Sequence, residues 1–316
     1  MKYFFTLILF VATTVSYAQH TNFNTQRNWS LNKKEILFGF GATQFLGDLG
    51  GKDQIGTDYS PIDIDWPSTS IGGMIGYRYR FHPFWATTTS LNIGMIKGDD
   101  AQTQDIVRNN RNLHFKSLIV ELSQRIEFIV AANEKFGSRY NLRGHGRRMK
   151  NKNGQIYFLA GIGVVYYNPK ALYNGSWTAL RPLKTEGQGL PGGADKYGPV
   201  TLTVPFGIGM RTGLSQMWRV GLEVTYVKTF SDYIDDVHGV YYDPNVLAAQ
   251  VGSASAALSN PQKPTTPNAW FGTGLQRGDK QKDAYFYANI VFYRNMTYRG
   301  YAKQRRQNKW RGRYKF

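Results

Sequence analysis

The sequence predicts an all-β chain, an eight-stranded antiparallel transmembrane β-barrel of the outer-membrane type with long outer loops and a basic periplasmic turn and tail. Three observations predict it. Apolar residues recur at every second position over eight separate runs, and charges of both signs fall on the opposite faces of those runs. The chain also opens on a secretory signal, yet it has no run approaching the ~20 apolar residues of a spanning helix.

The stretch 200–236 is the clearest. Leu202, Val204, Phe206, Ile208 and Met210 alternate with Thr203, Pro205, Gly207, Gly209 and Arg211, giving a strand one greasy face and one face of small or polar residues. Pro205 cannot donate to a ladder and is a local mark against the strand. After a break near 215–217 the alternation resumes in Trp218, Val220, Leu222, Val224 and Tyr226 against Arg219, Gly221, Glu223 and Thr225, so the two runs pair as a hairpin. Each has the roughly 9–11 residues of a tilted transmembrane strand. Arg211, Arg219 and Glu223 can pair across a narrow lumen if the greasy face meets lipid. One hairpin of a soluble sandwich looks much the same, and the other runs decide.

Residues 1–18 read as a signal peptide, with Lys2, an apolar stretch from Tyr3, and Ser16-Tyr17-Ala18 as the cleavage site. That leaves 19–34 as a periplasmic lead-in, 35–296 as the barrel and 297–316 as a basic tail. No cysteine is present, which excludes disulfides, thiolate metal sites and lipid attachment at a cysteine. Tyr at 21, Phe at 19 and Gly at 34 residues suit aromatic girdles around a crowded interior.

The first strand starts at Ile36 and runs to Ala42, with Gly39 and Gly41 inward. In the second, Ile71, Gly73, Ile75, Tyr77, Tyr79 and Phe81 face out, and Arg78 and Arg80 face in. His82-Pro83 turns into the third, with Thr87, Thr89, Leu91, Ile93 and Met95 outward. The fourth sets Leu118, Val120, Leu122, Ile126 and Phe128 against Glu121, Ser123, Arg125 and Glu127. The fifth has Ile156, Phe158, Ala160, Ile162 and Val164 outward, and the hairpin above supplies the sixth and seventh. The eighth has Phe286, Ala288, Ile290 and Phe292 on its apolar side. Eight strands leave an interior just filled by side chains. The sequence therefore predicts a lumenal ion-pair network of Arg78, Arg80, Glu121, Arg125, Glu127, Arg211, Arg219 and Glu223, charges that a soluble sandwich would bury at high cost.

With a periplasmic N-terminus, the connections 46–67, 168–199 and 231–283 are the long outer loops, and the Ser/Ala/Pro/Thr-rich 251–268 is expected to be mobile. The segment 131–152 carries seven cations against Glu134, a net +6, and the tail 297–316 carries eight with no acid, a net +8. Together these hold +14 of the formal +18. Lys/Arg runs mixed with aromatics suit nucleic acid, which an exported barrel does not meet. Anionic lipid headgroups are one alternative, and an acidic periplasmic protein, steered and registered by complementary charge, is the other.

Gly207, Gly209 and Gly213 lack the helix and spacing of a dinucleotide loop. His20, His82, His114, His145 and His238 are scattered without ligand spacing, and no cofactor is indicated. Asp232, Asp235, Asp236 and Asp243 cluster without the spacing of a calcium loop, and a solvated loop anchor is the reading preferred to a calcium site. No nucleophile, base and orienter set is apparent. Ser231 has no placed partner, and His114 and His238 are the only histidines expected near the outer rim, so the sequence points away from an enzyme.

Five strings carry a resemblance: Phe45-Leu46-Gly47-Asp48-Leu49-Gly50-Gly51, Lys97-Gly98-Asp99-Asp100, Tyr167-Asn168-Pro169-Lys170-Ala171, Pro182-Leu183-Lys184-Thr185-Glu186-Gly187-Gln188-Gly189 and Ser231-Asp232-Tyr233-Ile234-Asp235-Asp236-Val237. Taken in order, the chain resembles the PorG-type outer-membrane proteins of the type IX (Por) secretion system of Bacteroidota. It departs at Lys184, where that pattern has glycine. The resemblance implies a non-enzymatic barrel attached to the periplasmic ring formed by PorK and PorN. The residues expected to contact the ring are Arg143, Arg147, Arg148, Lys150, Arg305, Arg306, Lys309, Arg311 and Arg313. The alternatives are a passive small-solute channel and an envelope-stabilising barrel.

Overall fold

Nine strands form: β1 (Lys34–Leu46), β2 (Ser70–Arg80), β3 (Trp85–Asp99), β4 (His114–Asn133), β5 (Gly154–Tyr173), β6 (Ser176–Ala179), β7 (Val200–Gly213), β8 (Trp218–Thr229) and β9 (Ala284–Asn295). The computed structural model describes residues 29–49, 66–103, 105–133, 154–214, 217–264, 266–267, 270–279 and 281–296. The expected signal peptide, most of the lead-in, the turn 134–153 and the tail 297–316 lie outside them. Every pairing is antiparallel and between sequence neighbours, except that β7 pairs with β5 and β9 returns to β1. The result is a closed eight-stranded antiparallel β-barrel, and β6 hangs from β5 outside the ring. Closure removes the unpaired edges that a lipid environment cannot solvate.

The extra strand has a local cause. Asn174 and Gly175 take φ of +48° and +78°, the two positive angles of the tight hairpin turn for which Asn-Gly is the preferred pair. Pro205 is accommodated in β7, facing the lumen, and the β5 ladder skips it: β7 pairs with β5 at Thr203–Gly163 and again at Phe206–Ala160, with no pairing between.

Outward side chains form an apolar belt. Ile71, Ile162 and Leu202 are 82%, 71% and 61% exposed, and neighbours on every strand continue the surface. An apolar surface circling the whole molecule is stable only against hydrocarbon. At its turn end Tyr79, Phe81, Phe84, Trp85 and Phe128 are exposed, with the rings of Trp85 and Phe128 4.8 Å apart. At its other end stand Tyr166, Trp177 and Phe230. These are the two aromatic girdles of an outer-membrane barrel. The belt's polar spot, Thr87, Thr89 and Gln124, is closed on itself by hydrogen bonds.

Beyond the belt the pattern inverts. On β4 and β5 the outward positions become His114, Lys116, Asn168 and Lys170, while Phe115, Ile119, Val165, Tyr167 and Ala171 are buried inside. The barrel therefore rises past the lipid into a cap with its own core, in which Phe45, Leu49, Leu180, Val237 and Leu258 join those inward residues. Helices α1 (Ile106–Arg111), α2 (Pro244–Gln250) and α3 (Ser253–Ser259) belong to this cap. The segment 251–268, expected to be mobile, contains α3, and Ser255, Leu258 and Ser259 on that helix are buried.

Lys184 ends the short turn Arg181–Leu183 at φ +50°, in the left-handed region that costs a side chain with a Cβ. Lys184→Gly is accordingly expected to stabilise the cap by about 0.5–1 kcal/mol. Hydrogen exchange of the 181–190 backbone, slower in the variant, would check it.

Candidate functional site

The lumen at the turn end is built around two carboxylates. Glu127 Oε2 accepts from Arg78 Nε at 2.7 Å and from Arg211 Nη2 at 2.9 Å, and its Oε1 accepts from the Thr88 hydroxyl at 2.6 Å. Glu35 accepts from Arg78 Nη1 at 2.9 Å and from Arg219. Arg125 Nη1 donates to Glu223 Oε1 at 2.7 Å, and the Tyr157 hydroxyl donates to Glu223 Oε2 at 2.8 Å. Each of these charged side chains is at most 3% exposed.

Of the expected network, Arg78, Arg125, Glu127, Arg211, Arg219 and Glu223 therefore sit in direct ion pairs. Arg80 instead caps the turn, donating to the Pro83 carbonyl and lying over the Trp29 ring. Glu121 stands one layer nearer the cap and accepts from the Tyr285 hydroxyl at 2.9 Å. Glu35 stands outside the network the sequence predicts, whose first strand starts at Ile36. The signal was present, since Glu35 continues the inward series of Leu37 and Gly39. Gly209 serves the same layer, because a Cβ there would lie 2.2 Å from Tyr157 Cζ. It gives Tyr157 room to lie across the lumen beneath Arg211, whose guanidinium is 4.3 Å from the ring centroid.

Above this layer the five sequence strings meet in the cap. The Arg111 fork grips Asp100 at 2.7 and 3.0 Å and also donates to the Asp48 and Arg277 carbonyls. Arg277 Nη1 donates to Glu186 Oε1 at 2.9 Å and to the Asp236 carbonyl, and its Nε donates to the Ser259 carbonyl. Thr185 donates to Asp236 at 2.6 Å, as does the Tyr197 hydroxyl, and the Tyr167 and Ser231 hydroxyls lie 2.9 Å apart. Two buried arginines thus tie four loops over the barrel mouth.

The acidic residues divide by environment. Asp243 caps α2 through the Asn245 N–H, and Asp232 pairs with His238. Asp48, Asp232, Asp235 and Asp283 approach one another from the ends of β1, β8 and β9. Burial, with Asp279 and other acids beside them, pushes Asp48 up to about 7 and Asp232 up to about 8, and it raises Asp235 and Asp283 well above the carboxylate range. Among the described residues no three histidine or carboxylate groups are set to hold a metal ion. His114 Nε2 accepts from the Leu172 N–H, and no serine hydroxyl bonds to His238 among the described residues.

The raised acids fix a sign. They hold protons in the folded cap that the unfolded chain releases near pH 4, so their contribution to stability is complete below that range and is lost as pH rises through about 7 to 8. Amides of 230–264 should exchange more readily at pH 8.5 than at pH 5.5 after correction for intrinsic rates. Equal protection would contradict it.

The residues expected to contact a partner, Arg143, Arg147, Arg148, Lys150, Arg305, Arg306, Lys309, Arg311 and Arg313, lie outside the described residues. Their points of attachment do not. β4 ends and β5 begins at paired Asn133 and Gly154, and β9 ends at Asn295 opposite Glu35, all on the turn end of the barrel.

No protein-family model matches the chain, and no curated protein sequence matches it. Among solved structures it is similar to neisserial surface protein A, at 5% identity and a TM-score of 0.37 over 83% of this chain and 97% of that one. It is also similar to Ail, the attachment invasion locus protein of Yersinia pestis, in complex with the heparin analogue sucrose octasulfate, at 9% identity, a TM-score of 0.34 and the same coverage. The N-terminal β-barrel domain of Pseudomonas aeruginosa OprF aligns at 10% identity and 0.30, over 83% of this chain and 97% of that one. At these scores the similarity adds nothing to what strand pairing establishes. The chain is a barrel of outer-membrane type, and what it does there is a separate question.

Proposed function

We propose that the chain is a non-enzymatic outer-membrane component of the type IX secretion system, which anchors or aligns a PorK/PorN-type periplasmic ring through its basic segments 131–152 and 297–316. The observation that carries the reading is the placement of charge. The two segments hold +14 of the formal +18, and both leave the same rim of the barrel. Two strongly cationic segments leaving one rim suit an acidic protein partner beneath the membrane, because complementary charge speeds encounter and fixes register.

The passive-channel alternative is disfavoured by the lumen. Buried ion pairs cross it at the turn end, and an apolar core continues from it into the cap at the other. The short β2–β3 turn, 81–84, set against the long capped loops supports a periplasmic turn end, since in outer-membrane barrels the long loops face out.

Deleting 297–316 is expected to reduce co-purification of the ring from detergent-solubilised envelopes, and the residual recovery should fall further as salt is raised. Unchanged recovery at all salt concentrations would remove the tail from the interface.

A further inference from the structure

The ion pairs at the turn end of the lumen do not balance. Arg78, Arg211 and Arg219 surround two carboxylates, Glu35 and Glu127, while Arg125 and Glu223 neutralise each other. The surplus persists among all the described charged residues buried on the barrel strands, where five arginines (78, 80, 125, 211, 219) stand against four glutamates (35, 121, 127, 223).

The donors are also unevenly used. Arg78 spends Nε on Glu127 and Nη1 on Glu35, Arg211 spends Nε on Gln155 and Nη2 on Glu127, and Arg219 spends Nη2 on Glu35. Arg78 Nη2, Arg211 Nη1, and Arg219 Nε and Nη1 have no hydrogen-bond partner among the described residues. All three side chains are at least 98% buried. Buried polar groups are ordinarily satisfied, and several orphaned donors in one place call for a ligand. The three guanidiniums are linked through the shared carboxylates, so the orphaned nitrogens belong to one cluster.

We propose that this cluster binds a small monovalent anion of the chloride class between Arg78, Arg211 and Arg219. Water can satisfy the N–H groups, but it leaves the surplus charge in a medium that solvates charge poorly. An anion answers both needs through charge-assisted hydrogen bonds. Size selects among anions. The interior of an eight-stranded barrel is filled by side chains, and here the buried apolar cluster Leu37, Met74, Val291 and Tyr293 lies alongside the charged layer. In so filled an interior a phosphate or carboxylate demands far more room than a single-atom ion. The role follows from the chemistry: the ion is a structural counter-charge that lets a seal be built from arginines.

Crystals of the full mature chain in detergent, soaked in sodium bromide, test the proposal directly. An anomalous peak within hydrogen-bond reach of Arg78, Arg211 and Arg219 is the expected result. A water or a residue of the chain at that point without anomalous signal, or bromide at other sites only, would overturn it. In solution, the thermal midpoint of the folded barrel should be several degrees higher in sodium chloride than in sodium gluconate of equal ionic strength. That difference should vanish in Arg219→Gln, which removes the surplus charge. A difference of the same size in Arg219→Gln would count against the site. Should that variant fail to fold, the bromide map of the unaltered chain decides alone.

Discussion

Replacing Glu127 by glutamine is expected to cost the folded barrel about 3–5 kcal/mol, measured as the shift in equilibrium urea unfolding from lipid vesicles. Glutamine keeps the volume and one acceptor, so the loss isolates charge. Glu127 serves Arg78 and Arg211 at once, at 2.7 and 2.9 Å, in a layer at most 2% exposed. The desolvation penalty of three such ions largely cancels their attraction, so the intact network contributes little net stability. Deleting this carboxylate leaves Arg211 buried without a carboxylate partner and Arg78 with Glu35 alone, and that asymmetry sets the size of the effect. The double variant Glu127→Gln with Arg211→Gln should therefore lose less than the sum of the two single changes, because the residues share one network. Strict additivity would show that the lumen is wetter than its burial indicates.

The barrel was legible in the sequence because lipid and lumen impose opposite demands on alternate residues, and eight runs obeyed them. What escaped was whatever departed from that one pattern. Glu35 lies one residue before the first apolar position, where the alternation has not yet begun, although its parity with Leu37 and Gly39 places it inside. β6 was announced by Asn174-Gly175, a strong local hairpin signal, but the greasy alternation had stopped, and the stretch read as loop. The upper halves of β4 and β5 were missed for a deeper reason. Above the lipid the apolar side moves from outside to inside, so Phe115, Tyr167 and Ala171 are out of phase with Leu118 and Val164. A search for one face sees the strand end where only its solvent has changed. The cap was not legible as a unit at all. Arg111 and Arg277 join residues more than a hundred positions apart, as in the bond from Arg111 to the Arg277 carbonyl, and no local pattern encodes such pairings.

Placing arginine at Ile162 asks which solvent the belt meets. Ile162 sits midway along the outward series of β5, between Phe158 and Tyr166, and is 71% exposed. On a water-facing sheet the change would be nearly neutral, within about 0.5 kcal/mol, since a protruding isoleucine contributes little packing and arginine is well hydrated. Facing the bilayer midplane, the same change should cost about 2–4 kcal/mol, because the guanidinium must be dragged towards the interface or hydrated by a local defect. Asn168→Arg, on the same outward face of the same strand but beyond Tyr166 and the girdle, provides the control and should cost close to nothing. Urea unfolding of both variants from lipid vesicles gives the comparison. A large penalty at Ile162 with none at Asn168 requires hydrocarbon around the middle of β5 and water above it. Equal, small effects at both would mean that the apolar belt faces water. The reading of the lumen as the protected side of a membrane cylinder would then fail with it, since it is the lipid outside that forces charge to be satisfied within.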